Sequence, residues 1–381
     1  MRPAAASGRA GSLLRVRFET TRALDAVERR LSTDPLLTGA VIDLGEMVRL
    51  VELDGGRPAN LLRVGLVIDA LSRHLGDGEV SLYPVANRSL LSDTDLTSNE
   101  RMVIRRWSDD GLVEVVPAEV PTMARVWEVT TLIGQPVITR APLRGYPGVR
   151  FSPVNAPGGA ALEGGESGSL ARRNSVLGRR WHCPMPDCPS FGSTAGPFSG
   201  GAARDGGQPP PHLAQGGVPV CPRHGERLID EGPQPAAVPM VARVGGVVRE
   251  RFVVTEGRPV AAGRSPDDRD GVVLGPYLDE QAVQWVSRNH LRLELQGGEL
   301  LVTDLSTNGT VLLGRSGPRD NPRPTGLSRD QAHRVGEWDL IQLHRDVELS
   351  RADRPGRPSG PAQPESVMGD APTMAMRLPR P

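Results

Sequence analysis

Three observations predict a multidomain α+β chain. Apolar residues recur at helical spacing and then in strand-like runs between Ser12 and Val154; every cysteine gathers with a histidine in a central stretch; and from Ala236 to Ser350 short apolar strands alternate with turns. These predict, in chain order, a mixed α/β domain, a small cysteine-bearing module and an all-β sandwich. At 381 residues the chain exceeds what one core ordinarily holds, so boundaries should exist. Gly, Pro and Ser dominate Asn155–Asn174, Gly192–Gly217 and Arg351–Pro381. Such composition buries too little apolar surface to offset chain entropy, and these stretches read as linkers or disorder. The resulting division is an α/β domain over 12–154, a flexible linker over 155–180, a central module over 181–230 with a Gly/Pro-rich insertion, a β-sandwich over 236–350 and a disordered Pro-rich tail over 351–381. No internal repeat is found.

In the first domain, Leu61, Val64, Ile68, Leu71 and Leu75 fall on one helix face, and Gly76 supplies the stop. Glu79 to Val85 then reads as a strand. Thr97 and Glu100 have capping-box spacing for a helix bearing Val103 and Trp107 on one face, ended by Asp109 to Gly111, and "LVEVV" follows as another strand. That order is compatible with a winged helix-turn-helix in which Arg101, Arg105 and Arg106 face phosphates. The reading the sequence favours is a small α/β scaffold whose arginines form a solvated helix face.

Formal net charge is zero, and all 45 basic residues are arginine, so overall charge makes no case for nucleic acid or an anionic membrane. Three cysteines in so long a chain do not make a disulfide scaffold, which favours a reducing compartment. The opening residues lack the apolar core of a signal peptide, and no stretch approaches the roughly 18 apolar residues of a membrane span. The expected location is cytoplasmic.

"RWHCPMPDCP" and "VCPRHGERL" contain Cys183, Cys188 and Cys221, with His224 three positions after the last cysteine. Two short pairs that converge across a loop are what a tetrahedral Zn²⁺ site requires. The cluster resembles a zinc ribbon, departing from it in a Cys-x4-Cys first pair and a Gly/Pro-rich connection. His182 is a competing ligand. With four protein ligands the metal would be structural, because catalytic zinc keeps a position open.

The last folded region holds "GRS" at Gly263 to Ser265, "SRNH" at Ser287 to His290 and "DLSTNGT" at Asp304 to Thr310. In that order and spacing they resemble the signature of the forkhead-associated (FHA) domain, and "WDLIQL" resembles that family's late strand. Trp338 stands where the family usually has Gly, and a Gly/Pro/Arg insertion lies between Leu313 and Val335. The resemblance implies a non-catalytic β-sandwich that binds phosphothreonine peptides through loops at one end. It places Arg264 and Ser287 on the phosphate, Asn308 on the peptide backbone and Thr307 in close contact beside it. Gly263 would shape its loop and His290 would tie neighbouring loops together. The chemistry agrees, since a guanidinium fork and a hydroxyl donate charge-assisted hydrogen bonds to a phosphate, an amide can both donate and accept, and Gly309 can take a positive φ.

The function expected is a phosphothreonine-reading signalling adaptor downstream of a Ser/Thr protein kinase, the other domains supplying further contacts. The alternative is a DNA-binding regulator whose FHA domain responds to phosphorylation. Thr373, in the tail near Asp370, would if phosphorylated be a ligand for the chain's own FHA domain or for that of a second copy. Nucleophile-elbow, phosphate-loop and kinase motifs are missing from the sequence, which does not read as an enzyme.

Overall fold

The computed structural model describes residues 20–142, 145–157, 159–164, 174–192, 208–317, 321–352 and 364–368. The first domain is built on strands β1 (Thr38–Asp43), β2 (Ser81–Asn87), β3 (Glu114–Val116), β4 (Val137–Ile138), β5 (Arg150–Ala156) and β6 (Gly159–Gly164). They form one sheet in the order β3-β2-β1-β4-β5-β6. The first five pair in parallel, and β6 returns antiparallel on β5. Helices α1 (20–28), α2 (Leu44–Met47), α3 (Arg63–Leu75), α4 (Ser98–Asp109) and α5 (Thr122–Ile133) accompany them. Ala40 and Ile42 of β1 pack into a core with α1, α3 and α4, whereas Val41 faces a second core with α5. The sheet is therefore covered on both faces, with the strand order of a doubly wound α/β fold.

This corrects the winged helix-turn-helix expectation. β1 is buried on both faces, so its "TGAVID" run carries no alternation to mark it, and β4 is two residues long. The predicted α3 is present, ended by Gly76 at φ 62°, and the Thr97–Glu100 capping box forms at the start of α4. Leu75, assigned to the buried face, is instead 44 % exposed at the helix end. The arginines of α4 are engaged within the protein: Arg101 donates to the carbonyls of Asp93 and Leu96, Arg105 to that of Leu91, and Arg106 pairs with Glu28.

The expected linker from Asn155 starts instead inside the β5–β6 hairpin, where Val154 and Asn155 pair with Ala161 and Ala160. After the short helix α6 (Asn174–Leu177), the central module pairs β7 (Arg179–His182) with β10 (Ile229–Pro233). The described residues of the insertion between its cysteines include regular structure. Its β8 (His212–Leu213) pairs with β9 (Pro219–Val220), and the segment is pinned to α5 by buried groups. Arg125 donates to the Pro210 and Pro211 carbonyls and forms an ion pair with Glu114, while Glu128 accepts from the Leu213 N–H at 2.7 Å and from His212.

The third domain is a β-sandwich, as expected. One sheet holds β11 (Ala237–Val244), β12 (Val247–Thr255), β17 (Val311–Gly314), β18 (Arg323–Gly326), β20 (Leu340–His344) and β21 (Val347–Arg351). The other holds β13 (Val260–Gly263), β14 (Val272–Val273), β15 (Leu291–Gln296), β16 (Glu299–Asp304) and β19 (Ala332–Arg334). Met240, Leu291, Leu293, Val302, Ile341 and Leu349 meet between them. The insertion after Leu313 supplies β18 and β19, each the edge strand of its sheet. A short helix, α7 (Glu280–Trp285), precedes the SRNH segment.

The sandwich is joined to the α/β domain just past α3. Gly78 donates to the Val248 carbonyl at 3.0 Å, Val248 donates to Gly76 at 3.2 Å, and the Arg251 guanidinium closes on Asp77, which is 2 % exposed. Removing one member of a buried pair leaves the other charge uncompensated. Asp77→Ala should therefore cost about 3 kcal/mol, read as a lower midpoint in urea unfolding of the full chain.

Candidate functional site

The three motifs of the sandwich meet at one end through a close backbone crossing at Gly263. A Cβ there would lie 2.1 Å from the Arg288 carbonyl oxygen and 2.8 Å from that of Ser287, so only glycine fits. Across this crossing Arg264 N–H donates to the Ser287 carbonyl and His290 N–H to that of Ala262, both at 2.9 Å. The loop after β13 is thereby held beside the loop before β15. Asp267 adds a second tie, pairing with Arg288 and exchanging hydrogen bonds with Asn289.

The Arg264 guanidinium donates through Nη1 to the Val283 carbonyl in α7 at 3.0 Å, which fixes the half-buried side chain by one edge. Ser287 Oγ accepts the Thr307 N–H at 3.3 Å and lies 3.4 Å from Thr307 Oγ1. A hydroxyl held in this way keeps its own proton to donate. Asn308 Nδ2 donates to the Trp285 carbonyl at 2.8 Å, and its residue remains solvent-exposed. The structure thus gathers Ser287, Thr307 and Asn308 at one rim, with the Arg264 backbone bonded directly to Ser287.

Sequence reasoning passed over Asp304 and Ser306, which build the loop that presents Thr307 and Asn308. The buried Asp304 Oδ1 accepts from Ser306 N–H and from the Thr310 hydroxyl, and Ser306 Oγ accepts from Gly309 N–H. Gly309 completes the turn at φ 87°. The available signal was an Asp two residues before a Ser, the spacing of an Asx-turn. Beside Asn308 a groove of about 500 Å³ runs along Trp285, Thr310, Leu327, Gln342 and His344. Trp285, at the end of α7, is 45 % exposed there.

His290 lies wholly buried beneath these loops. Its Nδ1 accepts the Ser287 N–H at 3.0 Å, so the neutral ring carries its proton on Nε2, next to the Gly309 backbone. Burial pushes the imidazole down from 6.5 to about 4, against the opposing pull of Asp304.

A second cluster is the Cys3His group. The donor atoms of Cys183, Cys188, Cys221 and His224 all lie within 4.8 Å of one another. Cys188 Sγ is 3.7 Å from Cys221 Sγ, and His224 Nδ1 is 3.5 Å from the sulfurs of both Cys183 and Cys221. Ligand bonds of about 2.3 Å to sulfur require tetrahedral edges of about 3.8 Å, so the donors fit one metal ion. Phe191 N–H donates to Cys188 Sγ; the hydrogen bond between Cys188 and Cys221 pushes the Cys188 thiol down to about 5 and the Cys221 thiol up, and burial pushes the Cys183 thiol up. His182 is not among the converging donors. Arg223, beside the second knuckle, donates to the Ser108 carbonyl at the end of α4 and docks the module on the α/β domain.

The crevice where the strand order reverses, outside the carboxyl ends of β1 and β4, is where open α/β sheets take ligands. Its polar groups are engaged within the protein. Asp43 caps α2, with burial pushing its carboxyl up to about 6. Glu46 accepts from the Thr139 hydroxyl and the Arg140 N–H, Arg140 pairs with Glu52, and Arg49 pairs with Asp93.

Two outcomes test the construction of the rim. The unfolded imidazole of His290 takes a proton near pH 6.5 and the folded one only near pH 4, so its stabilising effect is complete above pH 6.5 and falls through that window. The loss by pH 4 should be on the order of 3 kcal/mol, and His290→Gln should flatten that part of the stability–pH curve. Gly263→Ala forces a backbone shift and should destabilise the sandwich by about 3 kcal/mol or more, measured by chemical unfolding.

Residues 260–330 match the family model described as FHA domain. Among solved structures the chain is similar to the MEK1 FHA domain, with 21% identity over 31% of this chain and 88% of that one and a TM-score of 0.23. It is similar to the FHA domain of human APLF in complex with an XRCC1 bisphospho peptide, with 19% identity over 29% and 97% of the respective chains and a TM-score of 0.22. It is also similar to the FHA domain of an Arabidopsis thaliana hypothetical protein, with 21% identity over 34% and 92% and a TM-score of 0.23. No curated protein matches the chain. The β-sandwich of this protein contains an FHA domain.

Proposed function

We propose that the chain is a cytoplasmic phosphothreonine-reading adaptor acting downstream of a Ser/Thr protein kinase. The observation that carries this reading is the rim at the crossing of the loops, where Arg264, Ser287, Thr307 and Asn308 are brought together on a scaffold matching the FHA family. One solved FHA domain of similar fold, that of MEK1, is in complex with a phosphothreonine peptide of HOP1. In this chain Arg264 and the Ser287 hydroxyl would donate to the phosphate, Asn308 would exchange its bond to the Trp285 carbonyl for the peptide backbone, and Thr307 would close on the ligand. Each contact to a phosphate dianion is charge-assisted, whereas none of the four groups is activated for chemistry. The proposal is therefore of a reader, not an enzyme.

Among the described residues no helix is long and apolar enough to cross a membrane. Self-association through phosphorylated Thr373 belongs to the same reading, though Thr373 lies outside the described residues. The DNA-binding alternative gains no support from the α4 arginines, which are spent on internal partners.

The Cys3His group is proposed as a structural Zn²⁺ site, with Cys183, Cys188, Cys221 and His224 as ligands. The metal would cross-link two knuckles whose shared core is small, being Trp181, Phe191 and Leu228 with the cysteines.

Titration of the full chain with a phosphothreonine peptide library, beside unphosphorylated and phosphoserine versions, tests the reader. Loss of Arg264 removes charged hydrogen bonds worth about 1.5–3 kcal/mol, so Arg264→Ala should bind about 10- to 150-fold more weakly. Absence of phosphate-dependent binding by the folded protein would refute the function. Metal analysis after dialysis should find one Zn²⁺ per chain, and Cys221→Ser should lose it along with the protease resistance of the module.

A further inference from the structure

The tail contradicts its composition at one place: residues 364–368 fold back onto α3, the helix that carries the domain junction. The buried Asp69 carboxylate of α3 accepts from the Ser366 hydroxyl, from Val367 N–H at 2.6 Å and from Met368 N–H at 3.2 Å. The Met368 side chain enters a notch at Gly65, one turn earlier on the helix. A Cβ there would lie 2.3 Å from Met368 Sδ and 3.0 Å from its Cγ. Val367 and Met368 add to the core of the α/β domain. Glu365 reaches Arg249 on β12 of the sandwich, so the segment touches both domains where they join.

Neither Gly65 nor Asp69 suits the middle of a helix on its own account. Glycine there costs about 1 kcal/mol against alanine, and a buried carboxylate requires hydrogen bonds to be tolerated. The tail supplies what makes sense of both. Burial holds the Asp69 carboxyl above its ordinary range, against the three donors and the nearby Arg73.

We infer that residues 364–368 form a releasable latch seated in a peptide-binding notch on α3, and that Ser366 is its modification site. Residue Ser366 is solvent-exposed although its hydroxyl meets the Asp69 carboxylate, so a protein kinase can take up the segment when it lifts from the notch. In that step Ser366 Oγ attacks the γ-phosphorus of ATP, the bond from that phosphorus to the bridging oxygen breaks, ADP leaves and the hydroxyl proton passes to the kinase's base. The product carries close to two negative charges opposite Asp69 and has lost the donor, so it cannot reseat. Release frees the Gly65–Asp69 notch and removes the tail's contact with the sandwich.

Amide hydrogen exchange on the full chain, unmodified or with phosphoserine incorporated at position 366, tests this. In the unmodified chain Val367 and Met368 amides should exchange at least about tenfold slower than in a free peptide of the same sequence, the loss expected from one charged hydrogen bond. With phosphoserine they should exchange at the free-peptide rate while the sandwich core is unchanged. Ser366→Ala should keep most of the protection, because both amides still reach Asp69, and Gly65→Ala should reduce it by filling the notch. Free-peptide rates in the unmodified chain would overturn the latch, and full protection in the phosphoserine protein would overturn the modification site.

Discussion

Two backbones cross at Gly263 at a distance that admits no side chain, and the candidate site at this end of the sandwich depends on that crossing. It brings the Arg264 and Ser287 loops into direct hydrogen bonding, and the side chains of the candidate site inherit their positions from main-chain geometry. His290 and Asp304 then act beneath the surface. The imidazole accepts the Ser287 amide from below, and the carboxylate organises the turn that carries Thr307 and Asn308. Both are buried and neither is placed to touch a ligand. A rim of four small or flexible side chains is thus preorganised by groups that pay no desolvation cost when a ligand arrives.

Arginines take part in each junction between the three folded parts. Arg251 closes on Asp77 between the sandwich and the α/β domain; Arg223 reaches the end of α4 from the cysteine module; Arg125, buried, satisfies two proline carbonyls of the insertion while pairing with Glu114. A guanidinium suits such places because its planar fork can bond carbonyl and carboxylate oxygens together. The 45 arginines are balanced in overall charge by 45 acidic residues, and those named here serve as internal connectors.

Legibility differed by region for identifiable reasons. The sandwich could be read because half-buried antiparallel strands alternate, as β15 does, and because three motifs recur in fixed order. The capping box at Thr97 and the αL stop at Gly76 were legible because each is a local rule obeyed locally. The parallel sheet was not, since β1 is covered on both faces and its partners β2 and β4 lie about forty and a hundred residues further along the chain. The composition of 155–164 and 364–368 indicated disorder, yet the described residues of the first pair in a local hairpin with β5 and the second is held by the distant Asp69.

What the sequence by itself determined is the set of chemical groups and their local frames: three cysteines and a histidine at knuckle spacing, a glycine before an arginine, and a Ser-Thr-Asn-Gly turn. What only the tertiary structure decided is which distant groups meet. The convergence of Cys183 with His224, the closing of Arg251 on Asp77 and the seating of Met368 at Gly65 each join residues more than forty positions apart. Such contacts depend on loop closure and on the shape left by other elements, and neither quantity is written in the neighbourhood of the residues concerned.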